Sequence, residues 1–313
     1  MKLLVTGALG HIGSKLIHDI RIGEYDEVVL IDNLSTQRYA SLFNLPNGVK
    51  FRFYEEDILK ADLSEHFKGI DVVIHLAAIT DAASSFDKPG LVEEVNFKGA
   101  ERVAEACIAN GCRLIFPSTT SVYGSQAEVV DEGCSKEELK PQSPYAESKL
   151  KAEEMFSRLG HEKGLQYVVC RLGTIFGVST GMRFHTAINR FCWQAVMGKP
   201  ITVWKTAYEQ KRPYLDLGDA IAAFKFIIAN DLFDQNIYNV VTLNTTVRDI
   251  VETIKKHIPD LSIKYVDNKI MNQLSYNVSN KRFLAKGFKF KGMLAKGIAD
   301  TIAVLNNAFE RAK

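Results

Sequence analysis

The feature that most constrains this chain lies at its start, in MKLLVTGALGHIGSKL, where glycine recurs at positions 7, 10 and 13. The apolar residues before Gly7 are typical of a buried strand, and those after Gly13 suit an amphipathic helix. Side chains at 7 and 10 would keep a diphosphate away from the backbone, and one at 13 would push helix and strand apart. Free N–H groups at a helix N-terminus can bind that diphosphate. The stretch therefore predicts a dinucleotide-binding corner around Gly7, Gly10 and Gly13.

The rest of the first half alternates strand patterns with helical patterns. Apolar runs typical of strands that are buried on both faces of a parallel sheet lie at 3–7, 27–32, 49–54, 71–78, 112–119 and 166–172. Helical patterns follow at 11–22, 61–68, 90–110 and 146–163. This alternation predicts right-handed βαβ units and an α/β fold with a doubly wound parallel sheet.

After about residue 172 the alternation becomes irregular. Helical patterns lie at 183–198, 218–230, 247–258 and about 293–311, and short strand patterns lie at 201–204, 236–241 and 262–266. No repeat or long linker divides the chain. We predict a dinucleotide-binding domain over 1–172, to which 212–241 returns, and a small interleaved α/β lobe from 173–211 and 242–313.

Composition excludes several classes of partner. The 313 residues carry 39 basic and 37 acidic side chains, a formal net charge of +2 without a basic stripe, so neither nucleic acid nor an anionic membrane is expected to bind. No apolar run approaches the roughly 20 residues of a membrane span, and the chain enters its first strand without a secretion signal. Five cysteines without paired metal-ligand spacing predict free thiols in a reducing cytoplasm and no metal site.

An acid at the end of the second strand would complete the dinucleotide site. Asp32 ends VVLID, 19 residues after Gly13, close to the expected spacing of about 20. Its carboxylate can hold the adenosine ribose and would repel a 2′-phosphate, which predicts NAD rather than NADP. Asp57, after the third strand, can reach the adenine edge. Alone, Asp32 is equally typical of a strand-end turn, and Asp57 of an ordinary loop.

The candidates for catalysis follow the fifth strand. Tyr145 and Lys149 are four residues apart and so share one helix face, and a lysine ammonium beside a phenol lowers the phenol pKa from about 10. Such a tyrosine can take a proton from a hydroxyl while hydride leaves the carbon, and Thr119 can hold the reacting oxygen. Tyr265 and Lys269 repeat the spacing, but in a strand and loop without a preceding hydroxyl cluster. We therefore assign the base to Tyr145.

Together these motifs resemble the extended short-chain dehydrogenase/reductases, and within them the NAD-dependent nucleotide-sugar epimerase/dehydratase group. The similarity covers nearly the whole chain, in the stretches TGALGHIGS (6–14), LIDNLS (30–35), HLAA (75–78), VNFKGA (95–100), STTSVYG (118–124), PYAESK (144–149), RLGTIFG (171–177), KRPYLDLGDA (211–220), YNVV (238–241) and NVSNKRF (277–283). The resemblance implies a Rossmann sheet of about seven strands and a small C-terminal lobe for a nucleotide sugar. It also implies a cytoplasmic enzyme that is a homodimer through 90–110 and 146–163.

The resemblance assigns residues to three groups. The catalytic residues are Thr119, Tyr145 as base and Lys149 as its helper. The cofactor-binding residues are Gly7, Gly10, His11, Ile12, Gly13, Asp32, Asn33, Asp57, Ile58, Leu76, Ala77, Ala78, Asn96, Tyr145 and Lys149. The substrate-binding residues are Thr80, Thr120, Thr174, Arg183 and Arg212. Among the last group, Arg212 matches an arginine that grips the nucleotide diphosphate through bidentate, charge-assisted bonds.

Two departures from the family pattern bear on the reaction. Thr174 and Val178 replace the Asn and Pro that often stand there, and Arg183 can compensate at the substrate phosphate. Thr120 and Ser121 stand where 4,6-dehydratases carry Asp-Glu, which disfavours dehydration. The leading interpretation is an NAD-dependent nucleotide-sugar 4-epimerase that acts by transient oxidation at C4. A 4-dehydrogenase or 4-keto-reductase uses the same residues, whereas a cofactor-sensing binding protein often loses the tyrosine or the lysine.

Overall fold

The computed structural model describes residues 1–124, 129–267 and 275–306. The first half alternates strands and helices as expected for a parallel sheet. In chain order these elements are β1 Lys2–Thr6, α1 His11–His18, β2 Glu27–Asp32, β3 Phe51–Glu55, α2 Leu63–His66, β4 Val72–His75, α3 Pro89–Val92, a π-helical segment Glu93–Lys98, α4 Gly99–Asn110, β5 Arg113–Thr119, β6 Val129–Val130, α5 Pro144–Lys163 and β7 Tyr167–Leu172.

The second half contains shorter strands. In chain order its elements are β8 Thr174–Phe176, α6 Ala187–Val196, β9 Ile201–Trp204, β10 Lys211–Asp216, α7 Leu217–Ala229, β11 Ile237–Val240, β12 Leu243–Thr246, α8 Val247–Lys255, β13 Ile263–Val266, β14 Asn277–Val278, α9 Lys281–Ala285 and α10 Leu294–Asn306. Residues 307–311 of the predicted last helix lie outside the described part of the chain.

Seven parallel strands form the central sheet in the order β11-β7-β5-β4-β1-β2-β3. β1 lies between β2 and β4, so the chain changes direction across the sheet at the carboxyl end of β1. Open α/β sheets bind their ligands at such a switch point. The fold thereby confirms the predicted doubly wound α/β sheet and places the glycine stretch, which follows β1, at its crevice.

Apolar layers cover both faces of this sheet. On one face, α1 and α7 bury Leu16, Ile17 and Phe224 against the strands. On the other face, α4 and α5 contribute Val103 and Phe156 to a second layer. Burial on both faces explains why the sheet strands read as continuous apolar runs. The two helical layers therefore fix the carboxyl edge of the sheet as a rigid base for the site.

The small lobe differs from the prediction in detail. β8, β10 and β12 form a separate three-stranded sheet that the sequence patterns did not predict, and β9 pairs with β13. Of the segment 212–241, β11 joins the central sheet and α7 packs on it, whereas Lys211–Asp216 belongs to the small sheet. The predicted helix 90–110 is interrupted by the π-helical turn at Glu93–Lys98.

Two further observations concern the whole described chain. No helix in residues 1–124, 129–267 or 275–306 is long and apolar enough to cross a membrane. The five cysteines are free, and four of them are buried.

Candidate active site

The glycine corner after β1 combines two tightly packed glycines with a less constrained one. Gly7 has φ +65°, and a Cβ there would lie 2.5 Å from the Ala77 amide nitrogen. A Cβ on Gly13 would lie 2.5 Å from the carbonyl oxygen of Ala8, so helix and strand would have to separate. Among the described residues, a Cβ on Gly10 would meet only the Gly7 carbonyl, at 3.3 Å. Packing thus explains Gly7 and Gly13, while Gly10 points to a ligand.

The N-terminus of α1 faces the same corner. Gly10 is its N-cap residue, and no described side chain caps this helix end, which leaves the first-turn N–H groups for an anion. Burial lowers the pKa of His11 to about 4, so its neutral ring donates from Nε2 to the Gly177 carbonyl at 2.9 Å. Ser179 Oγ donates to the His11 carbonyl at 2.9 Å. His11 therefore joins the corner to the segment after β8.

Three polar side chains gather where β2 and β3 end. Asp32 accepts hydrogen bonds from the backbone amides of Leu9, at 3.0 Å, and Leu34, at 2.9 Å. Asn33 Nδ2 donates to Asp57 Oδ2 at 3.4 Å. The Asp32 carboxylate is thus oriented toward the glycine corner, and it retains lone pairs for ribose hydroxyls. An open Gly10, an uncapped helix end and this acid fit NAD.

We expect Asp32 to select NAD over NADP. Its charge would repel a 2′-phosphate, so NADP should bind at least about tenfold more weakly than NAD in titrations of cofactor-free protein. Asp32→Asn should reduce the difference in affinity between NAD and NADP. Asp32 lies close enough to Arg38 to stabilise the guanidinium cation, and without that carboxylate the cation would be available to the 2′-phosphate of NADP. Glu55→Gln, which removes the acid paired in register with Asp32 on β3, is the matched control and should keep the preference. Equal or tighter NADP binding by the wild type would contradict the assignment.

The carboxyl end of β4 forms the next wall of the crevice. Thr6 Oγ1 accepts from the Ala77 amide at 3.3 Å. The buried amide of Asn96, in the π-helical turn, accepts from the Ile79 N–H at 2.8 Å and donates to the Ile79 carbonyl at 2.9 Å and to Ser148 Oγ at 3.1 Å. Asn96 therefore supports this wall through the backbone. The remaining predicted cofactor residues are half-buried or buried: Ile12, Ile58, Leu76 and Ala78.

The start of α5 sets the position of the candidate base. Ser143 is the N-cap and its hydroxyl accepts from the Ala146 amide at 3.2 Å, while Pro144 opens the first turn, where its missing N–H costs nothing. Tyr145 follows directly, and the Thr119 hydroxyl at the end of β5 lies close enough to its phenol to favour the phenolate. The structure thus brings the predicted base and the predicted hydroxyl together.

The electrostatics of this pair differ from the expectation. Burial raises the pKa of Tyr145, and the groups that favour its phenolate are the Arg183 guanidinium and the Thr119 hydroxyl. Lys149 Nζ donates instead to the Pro117 carbonyl at 2.9 Å, and burial lowers the Lys149 pKa to about 7. Burial of the phenol therefore outweighs the nearby charges, so the net shift of the Tyr145 pKa is upward rather than downward as expected. The contribution of the Lys149 charge to the phenol stays a prediction.

Arg183 lies close enough to Tyr145 for the two side chains to interact electrostatically. Its guanidinium donates to Thr80 Oγ1, and Asn189 Nδ2 donates to the Arg183 carbonyl at 3.0 Å. Burial and the neighbouring Arg38 cation lower the pKa of Arg183 to about 10. The helix predicted to begin at Arg183 begins four residues later, at the start of α6. Arg183 therefore stands in a loop, held by its carbonyl, with its charge facing the candidate base.

The other predicted substrate residues occupy separate positions. Thr120 is buried and its hydroxyl donates to the Leu172 carbonyl at 3.3 Å. Thr174 is half-buried at the start of β8, in register with Tyr214 of β10. Arg212, also on β10, is half-buried in the small lobe. Their roles in binding stay predictions.

Three residues near the site were missed by the sequence patterns. Glu153 lies on α5 four residues after Lys149, and Arg171 of β7 is paired to it. Arg38, in the loop after β2, interacts with Asp32 and Arg183. The four-residue spacing after Lys149 was the one available signal for Glu153, because helical residues at that spacing share a face.

Comparison with known proteins decides the family. The sequence profile of the NAD dependent epimerase/dehydratase family matches residues 3–240. The chain belongs to this family. A protein of Bacillus subtilis (strain 168), described as an uncharacterized UDP-glucose epimerase, is 31% identical over 237 residues, which cover 73% of this chain and 72% of the relative. The chain is thus an NAD-dependent enzyme of this family, and the predicted family, fold and cofactor are confirmed.

Solved structures and longer relatives complete the comparison. UDP-N-acetylglucosamine 4-epimerase from Methanobrevibacter ruminantium M1 superimposes with a TM-score of 0.87 at 25% identity, over 98% of this chain and 99% of that one. UDP-glucose 4-epimerase from Thermus thermophilus, in complex with NAD, gives 0.84 at 27% identity, over 99% and 100%. A trifunctional protein of Arabidopsis thaliana, named for UDP-glucose 4,6-dehydratase, 3,5-epimerase and reductase activities, is 27% identical over an alignment 314 positions long. The alignment covers 96% of this chain but only 46% of that longer protein.

Proposed function

We propose that this enzyme is an NAD-dependent nucleotide-sugar 4-epimerase that acts by transient oxidation at C4. The observation that carries the proposal is that Thr119 and the phenol of Tyr145 lie together at the carboxyl edge of the sheet that also bears the glycine corner. The names of the similar proteins support it, since several are UDP-sugar 4-epimerases. Thr120 and Ser121, in place of an Asp-Glu pair, favour it over dehydration.

In the proposed reaction the protein moves a proton at the sugar O4. Tyr145, as phenolate, takes the O4 proton while Thr119 holds that oxygen through a hydrogen bond. The electrons of the O–H bond form the C4 carbonyl as hydride leaves the carbon, and bound NAD supplies hydride acceptance and donation. Arg183 and Lys149 provide positive charge that favours the phenolate. Once the sugar has presented its other face, Tyr145 returns the proton to O4.

NAD would be held by the residues of the crevice described above. The open Gly10 and the first-turn amides of α1 would bind its diphosphate, and Asp32 its adenosine ribose. Asn33 and Asp57 would border the adenine, with the backbone of Leu76 to Ala78 along the opposite wall.

A panel of nucleotide sugars tests the proposal. The enzyme is incubated with UDP-, GDP-, dTDP- and CDP-linked hexoses without added cofactor, and products are identified by NMR. We expect one nucleotide series to yield the C4 epimer. The names of the relatives make UDP-glucose, UDP-glucuronic acid and UDP-N-acetylglucosamine the first members to try. Products other than C4 epimers throughout the panel would refute the assignment.

Arg212 is proposed to grip the substrate diphosphate together with Arg183. Its guanidinium donates to Gln210 Oε1 at 2.9 Å and lies 5.6 Å from the centre of the Tyr276 ring. Loss of one charged partner of a phosphate costs about 1.5–3 kcal/mol, so Arg212→Ala should weaken UDP binding roughly tenfold to a hundredfold in calorimetry. Arg248→Ala, which removes a half-exposed arginine of the same lobe paired to Glu209, should leave UDP binding unchanged. A fall in NAD affinity with intact UDP binding would assign Arg212 to another site.

The homodimer through 90–110 and 146–163 stays a prediction. The first of these segments carries an exposed apolar side chain, Leu91, with 45% of its surface accessible. An apolar residue in that position is compatible with a subunit interface. Sedimentation equilibrium of the purified chain would establish the oligomeric state.

A further inference from the structure

One face of α5 carries three ionisable residues in a row. Tyr145, Lys149 and Glu153 follow each other at four-residue spacing, so their side chains point to the same side of the helix. Lys149 is 4% exposed and Glu153 is 5% exposed. Two charges this deeply buried on one helix face require compensation, since neither is solvated by water.

Consecutive residues of β5 contact this row of side chains. The Pro117 carbonyl accepts from Lys149 Nζ at 2.9 Å, and the next residue, Ser118, donates its hydroxyl to Glu153 Oε1. The hydroxyl of the following residue, Thr119, lies beside the phenol of Tyr145 and favours its phenolate. The end of β5 therefore holds the base, the lysine and the acid in register with one another.

The carboxylate of Glu153 is held in place by an ion pair with Arg171. Arg171 of β7, which is 3% exposed, donates from Nε to both carboxylate oxygens at 3.2 and 3.1 Å and from Nη2 to Oε2 at 2.6 Å. The same guanidinium lies 4.8 Å from the centre of the Tyr123 ring. Bidentate geometry of this kind fixes the position of the carboxylate as well as its charge.

Among the described groups that act on Lys149, Glu153 is the one that carries a negative charge. The other neighbours of Lys149 are the Pro117 carbonyl and the face of the Phe116 ring, 4.4 Å from Nζ, neither of which carries a formal charge. His75 of β4 is buried with a pKa of about 3 and is neutral at working pH. Burial lowers the pKa of Lys149 to about 7, and Glu153 is the group that opposes this fall.

We propose that Glu153 is a positioning residue that acts through Lys149: its buried carboxylate keeps that side chain an ammonium, and Arg171 and Ser118 hold the carboxylate in place. The inference rests on the proposed roles of Tyr145 and Lys149 in the reaction. In the described part of the chain, no hydrogen bond joins Glu153 to Tyr145 or to the residues of the crevice. Its effect on turnover passes through the charge of Lys149.

Glu153→Gln tests this directly, because the change keeps the shape and removes the charge. Lys149 would then lose its counter-charge and face an unpaired Arg171 cation. We expect the Lys149 pKa, followed by the ε-¹³C resonance in lysine-labelled protein and assigned with Lys149→Met, to fall by about one unit or more. Because turnover needs charged Lys149, the alkaline limb of kcat with the substrate found in the panel should move to lower pH by the same amount. At a pH above both values this is about a tenfold loss for each unit.

Matched variants separate this role from a structural one. Glu27→Gln removes another buried carboxylate, paired to Lys50 and Arg52 at the opposite end of the sheet, and should leave both the Lys149 resonance and the pH profile unchanged. Glu153→Asp retains the charge and should largely restore the wild-type profile. If Glu153→Gln does not fold, the double variant with Arg171→Gln removes both charges and should still titrate Lys149 below the wild-type value.

Different results would refute the role of Glu153 and the proposed epimerase reaction. An unmoved Lys149 titration in Glu153→Gln or the double variant, or an equal shift in Glu27→Gln, would overturn the role of Glu153. Full activity in Tyr145→Phe would instead refute the proposed reaction, whatever the titration of Lys149 shows. A shifted titration together with an inactive Tyr145→Phe is the result we expect.

Discussion

Tyr145→Phe is expected to lose about 10²- to 10⁴-fold in kcat while it retains the fold and NAD binding. General acid–base steps contribute this much, and Tyr145 is the phenol that lies beside Thr119 at the sheet edge. The substitution removes only the phenol oxygen, so the aromatic ring still fills its place at the start of α5. Steady-state kinetics on the panel substrate, with NAD titration and thermal unfolding alongside, measures the three properties separately.

Tyr265→Phe is the matched control for this loss. Tyr265 repeats the Tyr-x-x-x-Lys spacing, but it lies on β13 with 45% of its surface exposed and its ring packed edge-on against Tyr208. Its lysine partner, Lys269, lies outside the described residues. We expect Tyr265→Phe to turn over substrate at the wild-type rate. Activity that survives in the Tyr145 variant and disappears in the Tyr265 variant would reverse the assignment.

Substitutions in the glycine corner should distinguish Gly10, which we expect to contact the cofactor, from Gly7 and Gly13, which are required by packing. Gly10→Ala places a methyl group 3.3 Å from the Gly7 carbonyl, which the fold can absorb with a small shift, but it fills the approach to the first turn of α1. Overpacking of this kind costs about 1–3 kcal/mol, so NAD affinity should fall roughly tenfold to a hundredfold with little change in Tm. Gly13→Ala should lower Tm, because its methyl group would meet the Ala8 carbonyl at 2.5 Å.

Gly90→Ala provides the control for both variants. This glycine lies on α3, and a Cβ there would have no heavy atom within 4 Å among the described residues. Alanine is the better helix former, so stability should hold or rise slightly and NAD affinity should not change. If Gly10→Ala lowered Tm as much as Gly13→Ala, or bound NAD with wild-type affinity, Gly10 would not be the ligand-binding glycine.

The sequence predicted the central sheet well because its strands are buried on both faces. Continuous apolar runs and the helices between them depend on local pattern, and β2 begins and ends where predicted, at Glu27–Asp32. The small sheet was missed for the opposite reason. β8 has three residues, β10 contains Pro213, and β12 reads LNTT. None of these has the alternating or continuous apolar pattern of a strand, so hydrogen bonding to neighbouring strands defines them instead.

The residues of the site were easier to predict than their electrostatics. Spacing placed Tyr145 and Lys149 on one helix face, and β5 brings Thr119 to them. Spacing cannot show how deeply the Tyr145 phenol is buried, and that burial raises its pKa where a lower value was expected. Nor can it show that the Lys149 ammonium donates to the Pro117 carbonyl. Long-range contacts such as Glu153 with Arg171 likewise depend on the register of two distant elements.

Whether oxidation at C4 is transient can be tested in one incubation. The enzyme, with only the NAD that it carries from purification or one equivalent restored to it, is mixed with the panel substrate in D₂O. NMR then follows C4, and absorbance at 340 nm follows NADH. Transient oxidation predicts a C4 epimer without deuterium at C4 and without net NADH, because the hydride never exchanges with solvent. Stoichiometric NADH with an accumulating 4-keto sugar would contradict this mechanism and identify a 4-dehydrogenase.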